Sequence, residues 1–223
     1  MHSDSPVLKE RLAEAARYAL MRRLLPAIRH NIAGLLQPIG MMSAILERRL
    51  KAPTPDMAQL DKSTQALHSL SREAAASSQN LMAWLGPKDN EPVGVAAAID
   101  ESLGLMVTEL SFRGFSVANE TAALQMQLPK GVLRSVFTAS LIALTDNVQG
   151  AAKVVVTAAM GEGGAQVTIA LEPGGSPEMA DFGSHSKIYR LLDWDDVELL
   201  AHAEGVSLSH NERCVQLRYS TPA

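Results

Sequence analysis

The sequence predicts an α+β protein: an N-terminal antiparallel helical hairpin over residues 1–88, then an α/β sandwich over residues 89–223. Three observations lead there. Apolar residues Tyr18, Met21, Leu25, Ile28, Ile32, Leu35, Ile39, Met42 and Leu46 recur at alternating steps of three and four, the seam of one long amphipathic helix. The same spacing resumes after the turn APTPD at 52–56, from Met57 through Leu60, Thr64, Leu67, Ser71, Ala74, Ser78 and Leu81 to Leu85. Beyond Gly86-Pro87 the pattern changes to short β-branched runs separated by helical stretches.

Composition agrees with this division. Of 223 residues, 47% are hydrophobic but only 4% aromatic, so helices packed by aliphatic side chains are expected. The formal charge of −4 gives no general attraction to nucleic acid, and no basic stripe with interleaved aromatics occurs. One cysteine, Cys214, excludes an internal disulfide and a cysteine-rich metal site. No apolar run reaches the roughly 18 residues that span a membrane. The N-terminal stretch MHSDSPVLKERL carries acid and lacks an apolar core, so it does not read as a secretory signal. A soluble, cytoplasmic protein without a membrane or nucleic-acid partner is the expectation.

Taken in order, Ser3, Asp4 and Ser5 ahead of Pro6 can cap the first helix, which runs from about Val7 to Lys51. Pro26 and Pro38 lie inside it. Each removes a backbone donor, and Pro38 leaves the Gly34 carbonyl without its usual helical partner. The second helix follows the five-residue turn and stops at Gly86-Pro87. One hairpin cannot bury two apolar faces alone. Two hairpins from two chains form a four-helix bundle about a twofold axis, so a homodimer is expected. After the linker GPKDNEP, the pattern gives a helix over 95–110, a strand over 115–120 and a helix over 130–147. A hairpin of strands follows over 153–160 and 166–171, joined by Gly161-Glu-Gly-Gly164. A Gly/Ser/Pro-rich loop occupies 172–187. A short helix over 194–204 ends at Gly205, and strands over 206–209 and 214–219 close the chain.

His30 falls between Ile28 and Ile32 on the side of the first helix away from the seam, with Ala27, Ala33 and Gly34 around it. The helix alone allows two readings: a solvated surface histidine, or a reactive imidazole left open to a large partner. No histidine spacing suggests a zinc site.

Three stretches bear on the choice: R-H-N-I-A-G-L-L-Q-P at 29–38, S-L-I-A-L-T-D-N at 140–147, and L-E-P-G-G-S at 171–176. With the order of elements, they resemble the conserved core of sensor histidine kinases, a dimerising hairpin carrying a phosphoacceptor histidine followed by an ATP-binding α/β sandwich. The resemblance maps His30 onto the phosphoacceptor. It places Asn31 where an acid or amide usually stands; asparagine can hold the imidazole but lacks the carboxylate that takes a proton. Asn147 maps onto a magnesium-holding asparagine, whereas the earlier asparagine position is Ala143. Glu172 stands where the kinases have an adenine-reading aspartate, and Gly174 fits the glycine after it. Read from the residues alone, Asn147 is equally a helix-terminal residue and Glu172–Gly174 a turn leaving the hairpin. No phosphate-binding glycine loop appears between Glu172 and Trp194.

The hairpin and its histidine are kept while the nucleotide motifs are worn. That combination is similar to histidine phosphotransferases built on a degenerate kinase core, of the ChpT type. The resemblance implies phosphoryl relay between response-regulator receiver domains through His30. It implies no cofactor or metal on this chain and magnesium on the partner receiver. Free imidazole, with a pKa of about 6.5, is largely neutral and nucleophilic at physiological pH. Arg22, Arg23 and Arg29 are placed to attract an acidic receiver pocket, or form a solvated helix face. Ala33 and Gly34 would leave room for the receiver, and Gln37 would contact it or orient the ring. Two other readings stay open: an autokinase with a divergent ATP site, and a non-catalytic dimeric scaffold or inhibitor that binds a regulator.

Overall fold

The computed structural model describes residues 5–85, 91–148, 150–161, 163–174 and 192–220. Helix α1 spans Pro6–Leu50 and contains both prolines; α2 spans Met57–Leu85. The Asp56 carboxylate caps α2, accepting from the backbone N–H groups of Ala58 at 2.9 Å and Gln59 at 3.2 Å. Strand β1 (Pro92–Gly94) leads into α3 (Val95–Phe112), then β2 (Phe115–Glu120), β3 (Gln127–Pro129) and α4 (Lys130–Asp146). Strands β4 (Ala152–Gly161) and β5 (Gly164–Pro173), helix α5 (Trp194–Ala203), and strands β6 (Val206–His210) and β7 (Cys214–Ser220) complete the order. The α+β class and the long elements follow the sequence pattern. The three-residue β1 and β3 do not, being too short to show a period.

Contacts divide the chain into two units, Leu25–Pro87 and Met1–Leu24 with Lys88–Ala223. In the hairpin unit, α1 presents Ile28, buried, then half-buried Ile32, Leu35, Ile39, Met42 and Leu46. From α2 come buried Leu60, Ser63 and Ala74 with half-buried Leu67 and Leu70. The Arg49 guanidinium ties the end of α1 to the start of α2 by donating to the Gln59 carbonyl at 3.3 Å and to the Ser63 hydroxyl.

The expected seam needs correction at five positions. Tyr18 and Leu25 are 60% and 48% exposed. The first part of α1 buries Ala13, Ala16, Leu20 and Leu24 in the α/β unit, a different edge of the helix. On α2, Met57 is 73% exposed and Thr64 and Ser71 face solvent. The apolar stripe there runs through Leu60, Ser63, Leu67, Leu70 and Ala74, so small polar Ser63 stands inside it.

The α/β unit holds a five-stranded sheet of order β2-β4-β5-β7-β6. Among the described residues only β2 and β4 pair in parallel, and α4 supplies the crossover that a parallel pair needs. The other pairs are antiparallel. One sheet face is apolar, with Val154, Val156, Val167, Ile169, Val215 and Leu217 fully buried. Ile99 and Met106 of α3, Val136, Phe137 and Leu141 of α4, and Val197 and Leu200 of α5 supply fully buried helical side chains to the core. A capping box at Asp193 and Asp196 starts α5, and Gly205 at φ +67° follows its end.

Tyr219 on β7 is 2% exposed, and its hydroxyl has no hydrogen-bond partner among the described residues. Burial raises its pKa well above the ordinary 10.0, because phenolate would lose its water. The unfolded chain therefore releases this proton first. The folded state holds its full margin from this group below about pH 10 and loses up to about 1.4 kcal/mol per pH unit above it. Tyr219→Phe is expected to be at least as stable near neutrality, since an orphan buried hydroxyl costs about 1–3 kcal/mol. It should also decline less steeply in alkali. Thermal melts near neutrality and at about pH 11 test both points; equal alkaline loss in the two proteins would overturn the assignment.

Candidate functional site

The side of α1 around His30 is built from small and polar residues. His30, Ala33, Gly34 and Gln37 recur at helical steps of three and four, and all four are exposed. Behind them Ile28 is buried and Ile32 half-buried, so the histidine is carried by a helix whose opposite side packs. A methyl group added at Gly34 would meet nothing within 4 Å. Backbone at this point is open to a partner, and glycine gives no local packing benefit there. Asn31 is half-buried and Arg29 exposed.

The three arginines separate. Arg22 donates to the Tyr18 hydroxyl at 3.0 Å, with its guanidinium 5.6 Å from that ring centre. Arg23 corrects the expectation of a solvent-facing cation. It forks onto Asp146, Nε to Oδ2 and Nη2 to Oδ1 at 3.1 Å each, and donates to Glu109 at 3.0 Å through Nη1 and again through Nη2. Arg113 joins the group, donating to Asp146 Oδ1 and to the Thr145 carbonyl at 2.7 Å each. All four side chains are between 11% and 18% exposed. Burial alone would lower the Arg23 pKa. Hydrogen bonds and charge from Glu109 and Asp146 outweigh it and hold the group above its ordinary value. Sequence gives no pointer to this quartet, because its members are scattered over α1, α3 and the end of α4.

The positions assigned to a nucleotide site are engaged in local contacts. The Asn147 side-chain amide donates to the Ala143 carbonyl at 2.8 Å, closing its own helix end. Ala143, where the kinase pattern carries an asparagine, is fully buried. Glu172 pairs with Lys153 across β4 and β5 at 3.4 Å. Gly174 has φ +143°, and a Cβ there would meet the Lys153 Cβ at 3.5 Å. The rest of the expected loop, with Ser176 and the Phe182-Gly183 pair, lies outside the described residues. Among the described residues no group of three or more His, Cys, Asp or Glu could hold a metal ion. No described helix is long and apolar enough to cross a membrane.

No family model matches the chain, and no curated protein matches it by sequence. Solved structures do. The Acinetobacter baumannii histidine kinase AdeS is similar at 16% identity over 80% of this chain and 94% of that one, with a TM-score of 0.46. A bacterial phosphotransferase is similar at 16% identity over 89% of this chain and 94% of that one, with a TM-score of 0.41. The histidine kinase ThkA, solved in complex with the response regulator protein TrrA, is similar at 15% identity over 96% of this chain and 66% of that one, with a TM-score of 0.40.

Proposed function

We propose that this chain is a dimeric, cytoplasmic histidine phosphotransferase that relays a phosphoryl group between response-regulator receiver domains through His30, without using ATP itself. The observation that carries this reading is the exposure of His30 on a face of Ala33, Gly34 and Gln37, backed by a packed seam. An imidazole on such a face can enter the concave site of a receiver without a clash from its own helix. A neutral ring nitrogen attacks the phosphorus of the receiver's aspartyl phosphate in line. The N–P bond forms as the bond from phosphorus to the carboxylate oxygen breaks. The aspartate leaves with the electron pair, and the phosphoimidazolium sheds the one N–H proton on its other ring nitrogen to water. The reverse sequence loads the next receiver. Charge stabilisation comes from the receiver's lysine and magnesium, so little is required of this chain beyond a well-presented nucleophile.

Three features support relay over self-phosphorylation. Asn31 has no carboxylate to act as base. The Asn147 amide is bonded within its own helix, and Glu172 is paired with Lys153. Exposed Leu25, Leu36, Met57 and Met82 on the hairpin unit support burial against a second copy. Arg29 is exposed and suits an acidic receiver surface.

The test compares two phosphoryl sources for the full chain. Labelled phosphorylated receiver is expected to yield an acid-labile, alkali-stable label on this protein, and labelled ATP with magnesium none. Comparable labelling from ATP alone would establish the autokinase reading instead. Stable binding of the receiver with no label would favour a scaffold.

A further inference from the structure

The sheet face away from the helices carries a second, unassigned set of groups. Gln166, Arg218 and Ser207 lie in one cross-strand row over β5, β7 and β6. Thr168, Gln216 and Ser209 form the next row on the same face. Neighbours in such a row have Cβ atoms about 5 Å apart, close enough to address one ligand together. Among the described residues, none of these six side chains makes a hydrogen bond or ion pair, although each offers at least one donor. Neither row contains a carboxylate. Where β5 begins and β7 ends, a cavity of about 400 Å³ adjoins the Gln166–Arg218–Ser207 row and is floored by Gly161, Gly163 and Gly164. That volume lies within the roughly 300–1,000 Å³ of small-molecule sites. Glycines leave the backbone approachable there, and β6 is the sheet edge, so the row is reached from solvent.

We propose that this row and cavity form a binding site for a small phosphate ester, with Arg218 gripping the phosphate. The guanidinium fork matches phosphate geometry and carries no acceptor. The amide of Gln166 and the hydroxyl of Ser207 flank it and add donors. The second row extends neutral hydrogen-bonding groups toward the remainder of the ligand.

Amide-resolved NMR titration of the full chain tests this, with inorganic phosphate and glycerol phosphate as probes and succinate as the carboxylate control. Saturable shifts are expected at the amides of Gln166, Ser207 and Arg218, stronger with either phosphate than with succinate. Arg218→Gln should weaken binding by about tenfold or more, the size expected for losing a charge-assisted contact, while Arg218→Lys retains part of it. Ser207→Leu should crowd the row and weaken binding without changing charge. An unchanged melting temperature in each variant confirms folding. Equal affinity in Arg218→Gln, shifts centred elsewhere, equal binding of succinate, or no saturable shift would each overturn the proposal.

Discussion

His30→Gln is expected to abolish phosphoryl uptake from a phosphorylated receiver, by about a thousandfold or more, equivalent to ~4 kcal/mol of barrier. Glutamine keeps a polar side chain at an exposed helical position but offers no imidazole lone pair. The site is solvent-facing, so stability should change little and the loss reads as chemistry. Gly34→Leu tests the accompanying claim that this face admits a partner. Leucine is a better helix former than glycine by about 0.8 kcal/mol, and the added side chain meets open space at its base. The variant should therefore melt no lower than the parent while its transfer slows, because the receiver must approach over that position. Stability and activity moving in opposite directions separates an occluded docking face from a damaged fold. Undiminished labelling of His30→Gln would remove His30 from the reaction.

The long elements were legible in the sequence because their patterns repeat. Three–four spacing from Ile28 onward marks the half-buried edge of α1, and the β-branched run KVVVTAAM and its return QVTIAL form the strands expected of them. Tyr18 and Leu25 fit the same spacing yet face solvent. The helix there changes the partner it packs against, from α2 to the α/β unit, and selects Ala13, Ala16, Leu20 and Leu24 instead. A period specifies a face; it does not specify which of two surfaces will cover it. His30 could be placed on an outer face by the same logic. Arg23 could not be placed, because its neighbours Glu109 and Asp146 are 86 and 123 residues away in the chain. The Gln166–Arg218–Ser207 row likewise depends on strand register, which no local pattern states.

Asp146→Ala is expected to be the most destabilising single change in the α/β unit. It strips Arg23 of one of its two bidentate partners and Arg113 of its shortest ion pair, leaving two part-buried cations to share Glu109. Breaking a buried pair from one side costs about 3–5 kcal/mol, against a total of about 5–15 for a folded domain. The melting midpoint should fall by roughly 10 °C for a chain of this size. Arg23 contributes no pH dependence in the accessible range. Its pKa is held above its ordinary value, so the stability it brings is full below that ordinary value and is lost only as pH rises from there to the raised one. Combining Asp146→Ala with Arg113→Ala should cost less than the sum of the two, because the second change removes a cation that the first left competing with Arg23 for Glu109. Hydrogen exchange locates the damage. Within this unit the quartet and the Arg17–Glu204 bridge at 2.8 Å tie the start of α1 to the α/β elements, so amides near Ala13, Ala16 and Leu20 should lose protection. A loss confined to α4 would show that α1 is held by apolar burial alone, and the quartet would then be a local clamp on the α4 terminus. The relay reading assigns Asp146 no chemical role. Transfer per folded molecule should therefore survive in the variant at temperatures where it remains folded.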